Sequence, residues 1–279
     1  MKVSIWGTRG SLPSPGKETA RYGGNTSCVQ VDNSDGTVLV LDAGTGIRAL
    51  GAALPRTLRR ANILLTHLHM DHIQGLGFFA PLYDPKAEVH IWGPLSASFD
   101  LRSRLMRYLS PPLFPVPFGE LPCQLFLHEA PCGRMQIGQF EVVAAFVCHP
   151  GATVGYRIQC GRRALAYLPD HEPALGRASL RLTPEWTSGC VIAEGADLLI
   201  HDAQYTEEEY AHRVGWGHSA SAHAFEFAKL AHVEHLMPFH HDPTHDDAAL
   251  DQLMSAAIER AKPMFRVTPA QEGVVLDLN

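Results

Sequence analysis

The chain has little charge and no long apolar run. Only 19% of its 279 residues are Asp, Glu, Lys or Arg, and no apolar run approaches the roughly 20 residues that a membrane span requires. The start, MKVSIWGTRG, lacks the long apolar core of a secretory signal. A basic excess is missing too. Lys plus Arg number 23 against 29 Asp plus Glu, a formal charge of −6, so no global positive field serves a nucleic acid or an anionic membrane. Any phosphate-bearing substrate must be held locally. The six cysteines, Cys28, Cys123, Cys132, Cys148, Cys160 and Cys190, include no CxxC pair; this argues for free thiols over a disulfide framework or a Cys-type zinc site. The expectation from these absences is a cytoplasmic chain that does not enter a membrane. With 46% hydrophobic residues the composition is that of an ordinary globular protein, which excludes disorder, coiled coil and collagen.

No linker, low-complexity tract or charge block divides the chain, so one α/β domain over residues 1–279 is expected. Short β-branched runs with glycine punctuation predict strands at Val3–Trp6, Ser27–Val31, Thr37–Leu41 and Asn62–Leu65, with a short helix over Gly46–Leu54. Asp32-Asn33-Ser34-Asp35-Gly36 reads as a hairpin turn. Residues 94–122 read as a surface insertion: a helix over Leu95–Leu109, then the proline-dense PPLFPVPFGELP, which opposes helix and central strand alike. Strands resume at Gln124–Leu127, Phe140–Val147, Thr153–Gln159, Arg163–Tyr167 and Asp197–Ile200, followed by helices near Glu207–His212, Ser219–Ala231 and Asp246–Ala261.

Histidine is what the chain has in quantity: 16 residues, unevenly placed. Leu64-Leu65-Thr66-His67-Leu68-His69-Met70-Asp71-His72 ends an apolar strand and then offers four potential ligands within six residues. His67 and His69 are two apart, so at a strand end both leave the same face and can grip one cation. Asp71 and His72, where the chain turns into a helix, can face a second. Neutral imidazole with carboxylate suits zinc, with manganese or iron as further possibilities.

These four residues, with Asp42-Ala43-Gly44-Thr45-Gly46 upstream, resemble the metallo-β-lactamase superfamily. The resemblance implies an αββα sandwich, two facing βα halves with the metal site at their shared strand ends, and two divalent metal ions. It assigns His149, after Ala145-Phe146-Val147-Cys148, to the first ion and Asp170, after Ala166-Tyr167-Leu168-Pro169, to a bridge between the ions; a carboxylate has two oxygens for that purpose. The last ligand is one of His240 and His241, both past the apolar run Leu236–Phe239. His240, the first residue beyond the strand, is preferred, with the other supporting the site or facing substrate.

Four further segments, Gly7–Ser11, Gly23–Cys28, His201–Tyr205 and Gly217–Ser219, resemble the phosphodiesterase-type branch, which includes the tRNA 3′-processing nucleases and small cyclic-phosphate phosphodiesterases. Asp202 at a strand end can orient and charge His218, just before a helix capped by Ser219 or Ser221, and His218 then donates a proton to a departing alkoxide. Asp71 would both bind metal and orient the nucleophile, a hydroxide shared by the two ions. The two glycine-rich loops, with Arg9, are candidates for phosphate contact. His90, His128, His223, His232 and His235 read as surface or satisfied core groups. In residues 94–122, Phe114, Phe118, Arg102, Arg104 and Arg107 are candidates for a wall of the site.

The acidic balance disfavours a large nucleic acid, since polyanion affinity scales with phosphate contacts. The expected function is therefore metal-dependent hydrolysis of a small cyclic nucleotide or sugar cyclic phosphate, by a protein that can form a homodimer. Three alternatives stand beside it. They are an ester, lactone or thioester hydrolase, which leaves the Asp202–His218 pair without a task; an RNA-processing nuclease; and a metal-binding module without turnover.

Overall fold

The computed structural model describes residues 1–177, 180 and 183–278. In chain order its strands and α-helices are β1 (Lys2–Gly7), β2 (Cys28–Asp32), β3 (Val38–Leu41), α1 (Ile47–Ala53), β4 (Arg60–Leu64), α2 (Met70–Ile73), β5 (Glu88–Pro94), α3 (Leu101–Met106), β6 (Gln124–Ala130), β7 (Gly133–Ile137), β8 (Phe140–Phe146), β9 (Val154–Cys160), β10 (Arg163–Leu168), α4 (Cys190–Ala193), β11 (Leu198–Asp202), α5 (Glu207–Ala211), α6 (Ser221–Leu230), β12 (His235–Phe239), α7 (Asp247–Ala261), β13 (Arg266–Val267) and β14 (Val275–Asp277). They form two seven-stranded sheets with orders β14-β1-β2-β3-β4-β5-β6 and β13-β12-β11-β10-β9-β8-β7. In the first, β3 to β6 run parallel; in the second, β10 to β13 do.

The strand period of two explains the layering. Val38 and Val40 join the cluster under α1 and α3, whereas Leu39 and Leu41 point into the cluster between the sheets. In β10, Leu165 and Tyr167 face that middle layer and Ala166 and Leu168 face the cluster under α4 and α6. Strands covered on both faces read as nearly unbroken apolar runs. Helix, sheet, sheet, helix is the αββα sandwich expected above.

Several boundaries differ from the sequence reading. β5, β7, β13 and β14 were not anticipated: β13 and β14 are very short, and β7 alternates exposed with half-buried residues. The helix expected over 95–109 is confined to α3, because Asp100 caps it by accepting from the Ser103 N–H at 2.7 Å. Helix α6 starts at Ser221 with Ala220 at its N-cap, so neither serine caps it; Ser219 Oγ instead donates to the His171 carbonyl at 2.6 Å.

Residues 94–122 are not simply a surface insertion. Leu101, Leu105, Leu109, Phe114, Phe118 and Leu121 are buried in the outer core of the first sheet, and Tyr108 OH donates to the Gln74 carbonyl just past α2 at 2.5 Å. Apolar residues without helical or strand periodicity still fill a core when prolines set their directions. Phe114 and Phe118 are thus committed to packing rather than to a wall of the site. Arg102 lies over Phe118 and Arg107 over Phe99, while Arg104 donates to the Pro94 carbonyl at 2.5 Å.

Candidate metal centre and active site

The site lies where strands of both sheets end. After β4 the chain stays extended through His69, the N-cap of α2 (φ −66°, ψ 154°), and the two-residue spacing sends the His67 and His69 rings to one side, 4.4 Å apart. Asp71 and His72 then project from the first turn of α2. The second sheet contributes His149 after β8, Asp170 after β10, Asp202 at the end of β11 and His240 after β12.

Two groups that share Asp170 result, His67–His69–His149–Asp170 and Asp71–His72–Asp170–His240, and a third, Asp202–His218–His240, adjoins the second through His240; the potential ligand atoms of each lie within 4.8 Å of one another. Asp170 divides its oxygens between the first two. Oδ2 lies 3.6 Å from His67 Nε2 and 3.7 Å from His149 Nε2, and Oδ1 lies 2.9 Å from His72 Nε2 and 3.2 Å from His240 Nε2.

The outward ring nitrogens are held, which sets the tautomers. His72 Nδ1 meets Asp42 Oδ2 at 2.8 Å, His149 Nδ1 the Gly217 carbonyl at 2.8 Å, and His240 Nδ1 Gln204 Oε1 at 2.9 Å. His67 Nδ1 meets Thr66 Oγ1 at 3.1 Å, and that hydroxyl in turn donates to Asp42. Each acceptor takes an N–H from its ring and leaves the Nε2 lone pair facing inward. His67 Nε2 is buried without a protein partner, and the Nε2 atoms of His72 and His240 face each other at 3.3 Å. Converging lone pairs around a shared carboxylate repel unless a cation lies among them, so this donor set fits divalent metal ions.

The electrostatics agree. Burial and neighbouring imidazoles hold His67 well below the ordinary histidine range, and burial lowers His69 as well and His149 to about 4. These rings are thereby kept neutral at neutral pH, the form that can bind a metal. Burial disfavours a charged His72, yet Asp170, Asp71 and Asp42 outweigh it and raise that group well above its usual value. The carboxylates therefore hold a positive charge in place, and a metal ion can supply it.

Beside the second group His218 donates through Nδ1 to Asp202 Oδ2 at 2.7 Å, and its ring stacks on His240 with centroids 4.9 Å apart. Asp202 is held by the backbone N–H groups of His171, Gln204 and Ser219. Burial opposes protonation of His218, but Asp202 by charge and hydrogen bond, then Asp170 and Asp71, raise its pKa to about 9. A histidine protonated at neutral pH next to the ligand cluster is equipped to give up a proton.

Two sequence expectations are corrected. His241 does not share the site: its Nε2 donates to the Ala270 carbonyl at 2.9 Å and its ring meets Tyr22 edge-on, so of the pair only His240 enters the cluster. Arg9 does not contact phosphate. It is fully buried, donating Nε to the Gly23 carbonyl and Nη1 to the carbonyls of Asp242 and His245, and so ties the loop after β12 to the second glycine-rich segment. The glycines of these loops serve close approach. A Cβ on Gly10 would lie 2.4 Å from His240 Nδ1, and one on Gly217 2.2 Å from His149 Nδ1.

Sequence reasoning passed over the supports: Asp42, Thr66 and Gln204, and Ser11, whose N–H donates to Asp71 Oδ2 at 2.7 Å. Asp42 and His240 both sit past a strand end at φ 60°, a conformation uncommon for residues with a side chain. No one-dimensional pattern marks such a requirement, although Asp42 stood inside a motif already noted.

Comparison with known proteins accords with this geometry. Residues 37–241 match the model of the beta-lactamase superfamily domain, and the chain belongs to that family, a metallo-β-lactamase superfamily hydrolase. Ribonuclease Z of Thermococcus onnurineus is 26% identical over 246 residues, covering 74% of this chain and 76% of that protein. Among solved structures, the metallo-beta-lactamase fold protein YhfI from Bacillus subtilis superposes with a TM-score of 0.71 at 20% identity, covering 99% of this chain and 98% of that one. A diphosphatase of the PhnP family does so with 0.69 at 17% identity over 100% and 98%. No helix among the described residues is long and apolar enough to cross a membrane.

Proposed function

We propose that this hydrolase is a phosphodiesterase acting on a small cyclic nucleotide or sugar cyclic phosphate with two divalent metal ions, zinc first among the candidates. The observation that carries the reading is the combination of Asp170 shared between two histidine groups with the hydrogen-bonded His218–Asp202 pair beside them. His67, His69, His149 and Asp170 would hold one ion, and Asp71, His72, Asp170 and His240 the other. Bound there, the ions would supply Lewis acidity for a nucleophile at neutral pH and would offset the phosphoryl charge that repels it. Asp71, held by the Ser11 N–H, would orient that nucleophile. His218 gives the proton on its Nε2 to the departing oxygen, with Asp202 stabilising the charged ring until transfer. Six free cysteines suit a cytoplasmic setting for this chemistry. Cleavage of RNA by the same site is the second reading, favoured by the similarity to Ribonuclease Z.

The test compares a ribose 2′,3′-cyclic phosphate, whose leaving alkoxide needs a proton, with bis(p-nitrophenyl) phosphate, whose leaving phenolate does not. Both should be cleaved, both should stop with chelator and resume with zinc or manganese, and His218→Ala should lower the cyclic-phosphate rate about 10²–10⁴-fold while costing far less on the nitrophenyl ester. No turnover of either by protein carrying two ions overturns the reading.

A further inference from the structure

Glu172 lies two residues beyond Asp170 and is almost completely buried, yet no step above uses it. Its carboxylate accepts from three donors. Tyr210 OH and the Gly215 N–H reach Oε1 at 2.9 Å each, Gly215 also approaches Oε2 at 3.1 Å, and the Gly217 N–H reaches Oε2 at 2.8 Å. Its own N–H donates to the Cys148 carbonyl at 2.8 Å, next to His149. Tyr210 belongs to α5, and Gly215 and Gly217 to the loop between α5 and α6, of which Gly217 is the pivot. Its N–H is held by Glu172, its carbonyl accepts from His149 Nδ1, and the next residue is His218. Gly217 has φ +92°, with no room for a Cβ against the His149 ring.

We infer that Glu172 is a positioning residue for the phosphodiesterase site, setting through Gly217 both the ring orientation of His149 and the approach of His218 to the leaving oxygen. The His218 half of this rests on the function proposed above; the His149 half does not. A buried carboxylate is costly unless its acceptors are filled, and here the backbone N–H groups filling them belong to the loop that carries the proton donor. Glutamine would keep the shape of Glu172 but turn one acceptor into an NH2 donor facing an N–H, releasing at least one loop contact.

The experiment uses the full chain carrying Glu172→Gln, with His218→Ala as reference. Loss of the loop setting should lower the rate on a ribose 2′,3′-cyclic phosphate about tenfold more than on bis(p-nitrophenyl) phosphate. Calorimetric titration of the metal-free protein with zinc should show one of two binding events weakened about tenfold, the low end for groups that orient a ligating histidine. A merely structural role would lower both rates by one factor and leave both zinc affinities unchanged, and that result overturns the inference. If Glu172→Gln fails to fold, Tyr210→Phe, which removes one contact to the same carboxylate, should move the ratio of rates in the same direction by a few-fold; an unchanged ratio overturns it. If the wild-type protein cleaves neither ester, the functional reading fails alone and the zinc titration of Glu172→Gln decides the role of Glu172.

Discussion

Asp42 illustrates how much one residue outside the ligand set determines. It accepts from the Thr66 N–H and hydroxyl, from His72 Nδ1 and from Tyr167 OH, so it aligns the strand end that carries His67 while setting the tautomer of His72. Asp42→Asn keeps the size but points an NH2 at groups that already donate. Zinc affinity at the Asp71–His72–His240 group should fall about 10–100-fold, measured by titration of metal-free protein. The neighbouring histidines give a sharper contrast. His240→Ala should bind one zinc fewer by metal analysis, whereas His241→Ala, whose ring bonds to Ala270, should retain two; the reverse result would reassign the ligand.

The elements contribute by where they stop. Parallel strands ending together bring backbone turns from both sheets to one place, and the candidate ligands and their supporting residues leave those turns at Asp42, His67–His72, His149, Asp170, Asp202 and His240. Residues 94–122 act differently, by backing the end of α2 through the Tyr108 bond to Gln74 and the turn beyond it through Phe114, whose ring meets Phe78. Phe118→Ala should therefore cost stability, about 3–5 kcal/mol for a buried phenylalanine, seen as a lower melting temperature, with kcat/KM of the folded protein unchanged. A fall in kcat/KM without loss of stability would show that the segment lines the substrate after all.

For the whole molecule the abundance of buried histidine makes stability depend on pH from two sides. Burial lowers His201 to about 4, His235 to about 4 and His241 to about 3. Below the unfolded value of 6.5 the unfolded chain takes up protons that these folded sites refuse, so stability is complete above 6.5 and declines as pH falls toward 4 and 3. His218 has the opposite sign. Raised to about 9, it contributes stability that is complete below 6.5 and is lost as pH rises through 9. Calorimetry of the metal-free protein should find the melting temperature falling steadily from pH 6.5 to 4; a flat profile would mean that these rings are not neutral in the fold.

Much of this protein is written locally. The HxHxDH run after an apolar strand, the strand ends before His149, Asp170 and His240, and the double-sided apolar runs of the central strands all follow from residue order, because a period of two and a chain turn are local properties. Only the tertiary structure separates His240 from His241, turns Arg9 from a phosphate contact into a buried tie between loops, and sends Phe114 and Phe118 into the core. Each of these depends on which distant carbonyl, ring or cavity meets the side chain, across separations such as the 233 residues between Arg9 and Asp242. Asp42, Gln204 and Glu172 belong to the same class: their acceptor atoms have no meaning along the chain and acquire one only when folding brings His72, His240 and Gly217 within hydrogen-bond reach.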